Sequence, residues 1–203
     1  MTRARIRGGL LVVAGDPSGD VYGSLLIREI RRREPGLRIE AVGGRLMRSA
    51  VGPDGGFHCD LASRGITGFV EPARRIPLLV RLLGKLKKVM TGVDAVICID
   101  FYGFNRHVLT AAKRSGVPAY YFISPQVWAS RPGRVEHIRR CVERMLVIFP
   151  FEEEIYRKAR VPVTWVGHPL MDLLPRPQAE RGPSRMLRLG LLPGSRAGVS
   201  PCS

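Results

Sequence analysis

Carboxylates, hydroxyls and aromatic rings stand where short apolar runs end. Asp100 closes the run 95–99 and is followed at once by Phe101, Tyr102, Gly103 and Phe104. A carboxylate walled by three aromatic rings can hold a raised pKa, which is what an acid–base group needs to work near neutral pH. The other role open to an aspartate in this place is a helix cap. A second run, 119–123, ends in Ser124-Pro125-Gln126-Val127-Trp128. The first run of the chain, 9–14, ends in Gly15-Asp16-Pro17-Ser18-Gly19-Asp20. That loop has the place of a phosphate cradle but neither the G-x-G-x-x-G nor the Walker pattern. Asp16 and Asp20 would also repel a phosphate. A sugar-hydroxyl or positioning role suits the loop better, and Ser18 or Asp20 can equally cap the helix that follows.

These chain ends belong to an alternation of strands and helices. Continuous apolar runs, as in strands buried on both faces, occur at 9–14, 95–99, 119–123 and 145–149, with shorter strand patterns at 38–42 and 163–166. Helix patterns fill 21–33, 66–90, 132–140, 151–160 and a segment from Asn105. Six strands with helices between them predict an α/β fold, a doubly wound parallel, Rossmann-like sheet. Ligands of such sheets sit outside the carboxyl ends of the strands, so Asp100 and residues 124–128 share the floor of a site. Tyr22, Leu25, Leu26 and Ile30 are predicted to form the apolar face of the first helix, and 51–64, rich in glycine, reads as irregular. The segment 66–90 carries a wide apolar face. Its entry sets Phe69, Val70, Ile76 and Leu79 among arginines, which fits a helix packed on the sheet or a basic patch on an anionic membrane. Pro175, Pro177, Gly182 and Pro183 mark a linker, 175–185. The reading is one domain over 1–174 and the start of another over 186–203, which runs into Pro193-Gly194-Ser195-Arg196.

With 45% hydrophobic and 25% charged residues in 203, the composition is that of a soluble globular protein. Its charge is unusual: 33 Lys+Arg against 17 Asp+Glu, net +16. This is either a preference for arginine or attraction to lipid headgroups, phosphate or nucleic acid, and charge alone does not choose. No nucleic-acid motif accompanies it, and the aromatics cluster near Asp100 instead of among the basic residues, so nucleic acid is not expected as a partner. Cys59, Cys98, Cys141 and Cys202 lack a metal-like spacing and are expected as reduced thiols of the cytoplasm. No apolar run approaches the roughly 18–20 residues of a membrane span.

Several blocks in fixed order carry a family resemblance: AGDPSGD (14–20), AVGG with Met47 behind it, TGFVEPARRIP (67–77), ICIDFYGFN (97–105), YFISPQVWASR (121–131), FPFEEEIY (149–156), VGHPLMD (166–172) and LLPGSR (191–196). Over residues 9–196 the chain resembles lipid-A-disaccharide synthase, a bacterial inverting glycosyltransferase of the twin-Rossmann type. The resemblance implies the N-terminal half of that fold. It implies transfer from UDP-2,3-diacylglucosamine to 2,3-diacylglucosamine 1-phosphate, with release of UDP and no metal or other cofactor. It makes Asp100 the base for the acceptor's 6-hydroxyl, and Asp16, where the family most often has Glu, a second catalytic candidate. Ser18, Asn105, Ser124, Trp128, His168, Ser195 and Arg196 are the implied substrate contacts. Phe69, Val70, Ile76 and Leu79 are the implied acyl or membrane contacts, at the cytoplasmic face of an anionic inner membrane.

The sequence also departs from the pattern. Tyr102 stands where many members have Pro, Gly103 where they have Asp, and Ser130 where a second Trp is common. These differences bear on substrate geometry, not on the fold. After PGSR the family continues with an acidic residue and a long helix, whereas this chain reads AGVSPCS. The expectation is a truncated chain that carries the acceptor side and lacks most of the UDP site, hence inactive alone. The alternative is a non-catalytic fragment that binds acyl-sugar phosphate or membrane.

Overall fold

Among the described residues, seven parallel strands form one sheet. The computed structural model describes residues 8–62, 72–125 and 133–174. The strands are β1 (Leu10–Ala14), β2 (Ile39–Gly43), β3 (Gly56–Asp60), β4 (Ala95–Ile99), β5 (Ala119–Phe122), β6 (Arg144–Val147) and β7 (Val163–Trp165). Between them lie α1 (Pro17–Arg33), α2 (Arg45–Val51), α3 (Pro72–Met90), α4 (Tyr102–Arg114), α5 (Gly133–Cys141) and α6 (Pro150–Lys158), with the short α7 (Leu170–Leu173) at the end. Their order across the sheet is β3-β2-β1-β4-β5-β6-β7. The chain therefore winds outward from β1 to β3, returns to the other side of β1, and winds outward again. The doubly wound α/β expectation holds, and the reversal lies between β1 and β4.

Strand alternation explains the two layers of core. Leu11 and Val13 of β1 face one cluster with Leu86 of α3, Val108 of α4, Ile138 of α5 and Tyr156 of α6. Val12 and Ala14 face the other, with Ile27 of α1 and Met47 of α2. Successive side chains of a strand point to opposite faces, so an unbroken apolar run is what two cores require. Leu11, Val12 and Val13 are all fully buried, each contributing roughly 1.5–3 kcal/mol relative to exposure. β1 is thus buried along its whole length.

Two expectations need correction. The stretch 51–64 is not irregular throughout: β3 runs along the sheet edge, and α2 precedes it. β3 carries His58, Cys59 and Asp60 and is half-buried along its length, so it has no apolar run to betray it. α2 follows Gly44, which has no capping side chain. Its cap comes from Asp20, which accepts from the N–H groups of Gly44, Leu46 and Met47 at 2.8, 3.0 and 2.9 Å.

The buried face of α1 is also different from the one predicted. It consists of Gly19, Asp20, Gly23, Ser24 and Ile27, while Tyr22, Leu25, Leu26 and Ile30 are half-buried. Small residues let α2 approach: a Cβ on Gly23 would lie 2.5 Å from Met47 Sδ. In α3, Leu82, Leu86 and Met90 are buried, so its C-terminal half is a helix packed on the sheet. The linker and the strand predicted beyond residue 174 lie outside the described residues.

Candidate active site

Parallel pairing sets Ala14 of β1 beside Ile99 of β4. The two loops that leave these strands, Gly15-Asp16 and Asp100-Phe101, therefore emerge side by side at the reversal point, where open α/β sheets bind ligands. Contact between them is tight, since a Cβ on Gly15 would fall 2.0 Å from Phe101 Cδ1. Asp16 caps α1, accepting from Gly19 N–H at 2.7 Å. The caps assigned to Ser18 or Asp20 from sequence are thus corrected: Asp16 caps α1, and Asp20 serves α2.

Among the described residues, Asp100 caps no helix. The residue that precedes α4 is Phe101, in the left-handed region and without a side-chain cap bond. Asp100 itself has φ 43°, Phe101 φ 48° and, at the end of the neighbouring strand, Ile123 φ 66°. Non-glycine residues at positive φ cost roughly 1–3 kcal/mol each and persist only where their surroundings hold them.

The holding groups are identifiable. Asp100 N–H donates to Phe122 O at 2.9 Å. Its carbonyl accepts from Asn105 Nδ2 at 2.7 Å and from Tyr121 Oη at 2.6 Å. Asn105 Nδ2 also reaches Ile99 O at 3.2 Å. Both Asn105 and Tyr121 are fully buried, so they act as rigid supports for the carboxylate's backbone.

Burial pushes the Asp100 carboxyl up to about 6, the negative charge of Asp16 adds to the rise, and a hydrogen bond from Phe101 N–H partly offsets it. The Tyr22 phenol is raised by burial, then by Asp16 and Asp100. These three groups share one electrostatic neighbourhood. Asp100 lines a cleft of about 500 Å³ together with Tyr102, Ser124, Arg134, Phe149 and His168. The His168 ring meets Tyr22 edge-on with centroids 6.3 Å apart and lies 5.7 Å from Phe149. His168 Nδ1 accepts from Leu170 N–H at 3.2 Å. Among the described residues, no three His, Cys, Asp or Glu side chains converge as a metal site.

Residues 10–199 match the family model described as lipid-A-disaccharide synthetase. The chain belongs to this family. Relatives named lipid-A-disaccharide synthase include those of Syntrophus aciditrophicus (strain SB), 41% identical over 93% of this chain and 51% of the relative, and Geobacter metallireducens, 42% identical over the same shares. That of Coxiella burnetii (strain Dugway 5J108-111) is 36% identical over 92% of this chain and 51% of its own length. The chain spans about half the length of the curated relatives it matches. A looser likeness is to the solved structure of Arabidopsis thaliana UGT89C1 with quercetin, at TM-score 0.49 and 13% identity, covering 86% of this chain and 53% of that one.

The structure sorts the residues that the synthase resemblance singled out. Asp16, Ser18, Asp100 and His168 stand around the reversal point or on its cleft. Asn105 does not reach the cleft; it is fully buried and its amide nitrogen is committed to backbone carbonyls. Ser124 lines the cleft but is 93% hidden, at 7% exposure, and its hydroxyl meets Tyr156 Oη at 2.7 Å. Asn105 thus holds the turn at Asp100, and the Ser124 hydroxyl is bonded to Tyr156 at the cleft wall. Leu79 packs against the core while Ile76 is 56% exposed, so only Ile76 of this pair offers an outward apolar contact. Phe69, Val70, Trp128, Ser195 and Arg196 lie outside the described residues.

Sequence reasoning missed Tyr121, Arg134 and His137. Tyr121 was hidden in an apolar run, and its hydroxyl gives no pattern. Arg134 and His137 sit on α5, where an excess of arginine made every basic residue look alike. His137 Nδ1 meets Tyr102 Oη at 3.1 Å, and its Nε2 meets Thr110 Oγ1 at 2.9 Å.

Proposed function

We propose that this chain forms the acceptor-side half of a lipid-A-disaccharide synthase, with Asp100 as the base. The observation that carries this reading is the placement of Asp100, held by Asn105 and Tyr121 at the reversal point of the sheet beside the Asp16 loop, where burial and then the Asp16 charge push its carboxyl up to about 6. The acceptor is a 2,3-diacylglucosamine 1-phosphate and the donor UDP-2,3-diacylglucosamine. Asp100 takes the proton of the acceptor's 6-hydroxyl as that oxygen bonds to the donor's anomeric carbon. The bond from that carbon to the UDP oxygen breaks on the opposite face, UDP departs with the electron pair, and the anomeric centre inverts.

The physical logic lies in the tuning. An aspartate at its ordinary 3.8 is a feeble base. Raised to about 6, it binds a proton more than 100-fold more tightly yet stays mostly ionised at pH 7. Asp16 contributes to this through its charge, so the second catalytic candidate acts on the base instead of on the substrate. The buried supports, Asn105 and Tyr121, fix the direction of the carboxylate. Ser18 and His168 are proposed to contact the sugars, as are Trp128, Ser195 and Arg196.

The same reading includes a peripheral contact with the anionic inner membrane on its cytoplasmic side. Ile76 and Val80 of α3 are 56% and 63% exposed, and the chain carries net +16. Among the described residues, no helix is long and apolar enough to cross a membrane. Sedimentation with anionic vesicles should pull the chain down, and the doubly substituted Ile76→Ser, Val80→Ser chain should stay in solution. Equal sedimentation of both would remove α3 from the contact.

Activity is tested by joining residues 1–196 to the second half of the Syntrophus aciditrophicus relative. The chimera should form disaccharide and release UDP in equal amounts. A folded chimera that binds both substrates and forms no disaccharide would count against the reading.

A further inference from the structure

We propose that Arg134 is the anion anchor of the cleft and takes the phosphate monoester of the acceptor sugar. This rests on the reading of the cleft as the acceptor site.

The charges of the described residues that line the cleft leave an anionic substrate one favourable place. Among the described lining residues Asp100 and Glu152 are acidic and Arg134 is basic. Asp100 is the reacting carboxylate and repels an anion. Glu152 is buried, with its carboxylate turned to the N–H groups of Phe149 and Ile148 at 3.0 and 3.3 Å. Arg134 remains. Other arginines of its helix are occupied: Arg139 and Arg140 both bind Glu136, at 2.8 and 2.6 Å. Arg134 pairs with no carboxylate among the described residues.

Arg134 is held by an aromatic face instead. Its Cζ lies 5.2 Å from the centroid of the Tyr102 ring. A guanidinium stacked on a ring keeps the N–H donors along its edge available, and that edge matches the spacing of two phosphate oxygens.

The platform itself is pinned. Thr110 Oγ1 donates to Arg106 O at 2.8 Å, so it accepts from His137 Nε2 at 2.9 Å. His137 Nδ1 then carries no proton and accepts from Tyr102 Oη at 3.1 Å. That direction holds for the neutral imidazole, which burial first and the nearby Arg106 charge next both favour. Tyr102 is therefore fixed between α4 and α5, with one face presented to Arg134. At about 500 Å³ the cleft has the size of a small-molecule site, and it holds the proposed base and the proposed anchor together.

The test is a binding titration of the 203-residue chain with two probes, a short-chain 2,3-diacylglucosamine 1-phosphate and the same sugar without its phosphate. The wild-type chain should prefer the phosphorylated probe by roughly 10- to 100-fold, as expected of a charge-assisted bidentate contact. Arg134→Gln should bind both probes with the affinity the wild type has for the unphosphorylated one. Arg134→Lys, which keeps the charge and loses the fork and the stacking, should fall between. If Arg134→Gln keeps the full preference, the anchor is elsewhere and the proposal is overturned while the acceptor-site reading stands. If it weakens both probes equally, Arg134 supports the cleft as a whole and the proposal is again overturned. A wild-type chain that binds neither probe overturns the acceptor-site reading and the proposal with it.

Discussion

A carboxylate whose pKa is raised by burial must weaken the fold that buries it, and Asp100→Asn measures by how much. The Asp100 pKa is about 6 in the folded chain against an ordinary 3.8. Between those values the folded state binds more protons than the unfolded state, so stability falls as pH rises through the window. Above it the loss is complete, at about 3 kcal/mol for a shift of this size. Asparagine has nearly the same shape, tolerates positive φ, and can still accept from Phe101 N–H, but it never ionises. Asp100→Asn should therefore stabilise the chain by about 2–3 kcal/mol at pH 7 and by only about 0.5 kcal/mol near pH 4. Urea denaturation of both chains at the two pH values is the assay. A gain at pH 7 that persists unchanged at pH 4 would trace to backbone preference instead of charge. No gain at pH 7 would refute the buried, destabilised carboxylate outright.

Other consequences follow from the same contacts. Asp16→Asn keeps the cap of α1, since asparagine caps as well as aspartate, and removes a charge. The Asp16 charge is the second cause of the raised Asp100 pKa, after burial, so in this variant the Asp100 pKa should drop towards its ordinary value. Carbon-detected NMR titration of the Asp100 carboxyl reads this, and an unmoved value would separate the two groups. Asp20→Ala should lower urea stability by about 2–4 kcal/mol, because three N–H groups at the start of α2 lose their acceptor; a change under about 1 kcal/mol would mean that water replaces it. Gly23→Ala should cost about 1–3 kcal/mol by forcing Met47 out of place, with an additional Met47→Ala change relieving part of the loss.

The legible part of the sequence was the part governed by burial on both faces. Ala95–Ile99 and Leu10–Ala14 read as strands because two cores demand unbroken apolar runs. Asp100 could be singled out because it ends such a run. What failed to show was organised over distance. The acceptor that caps α2 lies 24–27 residues before the groups it serves. Gly19 and Gly23 do not register on an apolar pattern, although they form the contact face of α1. Tyr121 and Asn105 each look ordinary in their own segment, and only the turn at Asp100 gives their hydrogen bonds a purpose. Ser124 is a further case: its hydroxyl meets Tyr156 Oη, 32 residues on, which its own segment does not announce.

The central claim is that Asp100 is the base, and the pH dependence of kcat/KM tests it most directly. In the chimera built on residues 1–196, the rate should fall on the acid side with a midpoint near 6, the Asp100 value. Asp100→Asn should lower kcat/KM by roughly 10²–10⁴-fold and abolish that acid limb. An Asp100→Asn chimera that keeps a limb near pH 6, or turns over at the parent rate, would contradict the account.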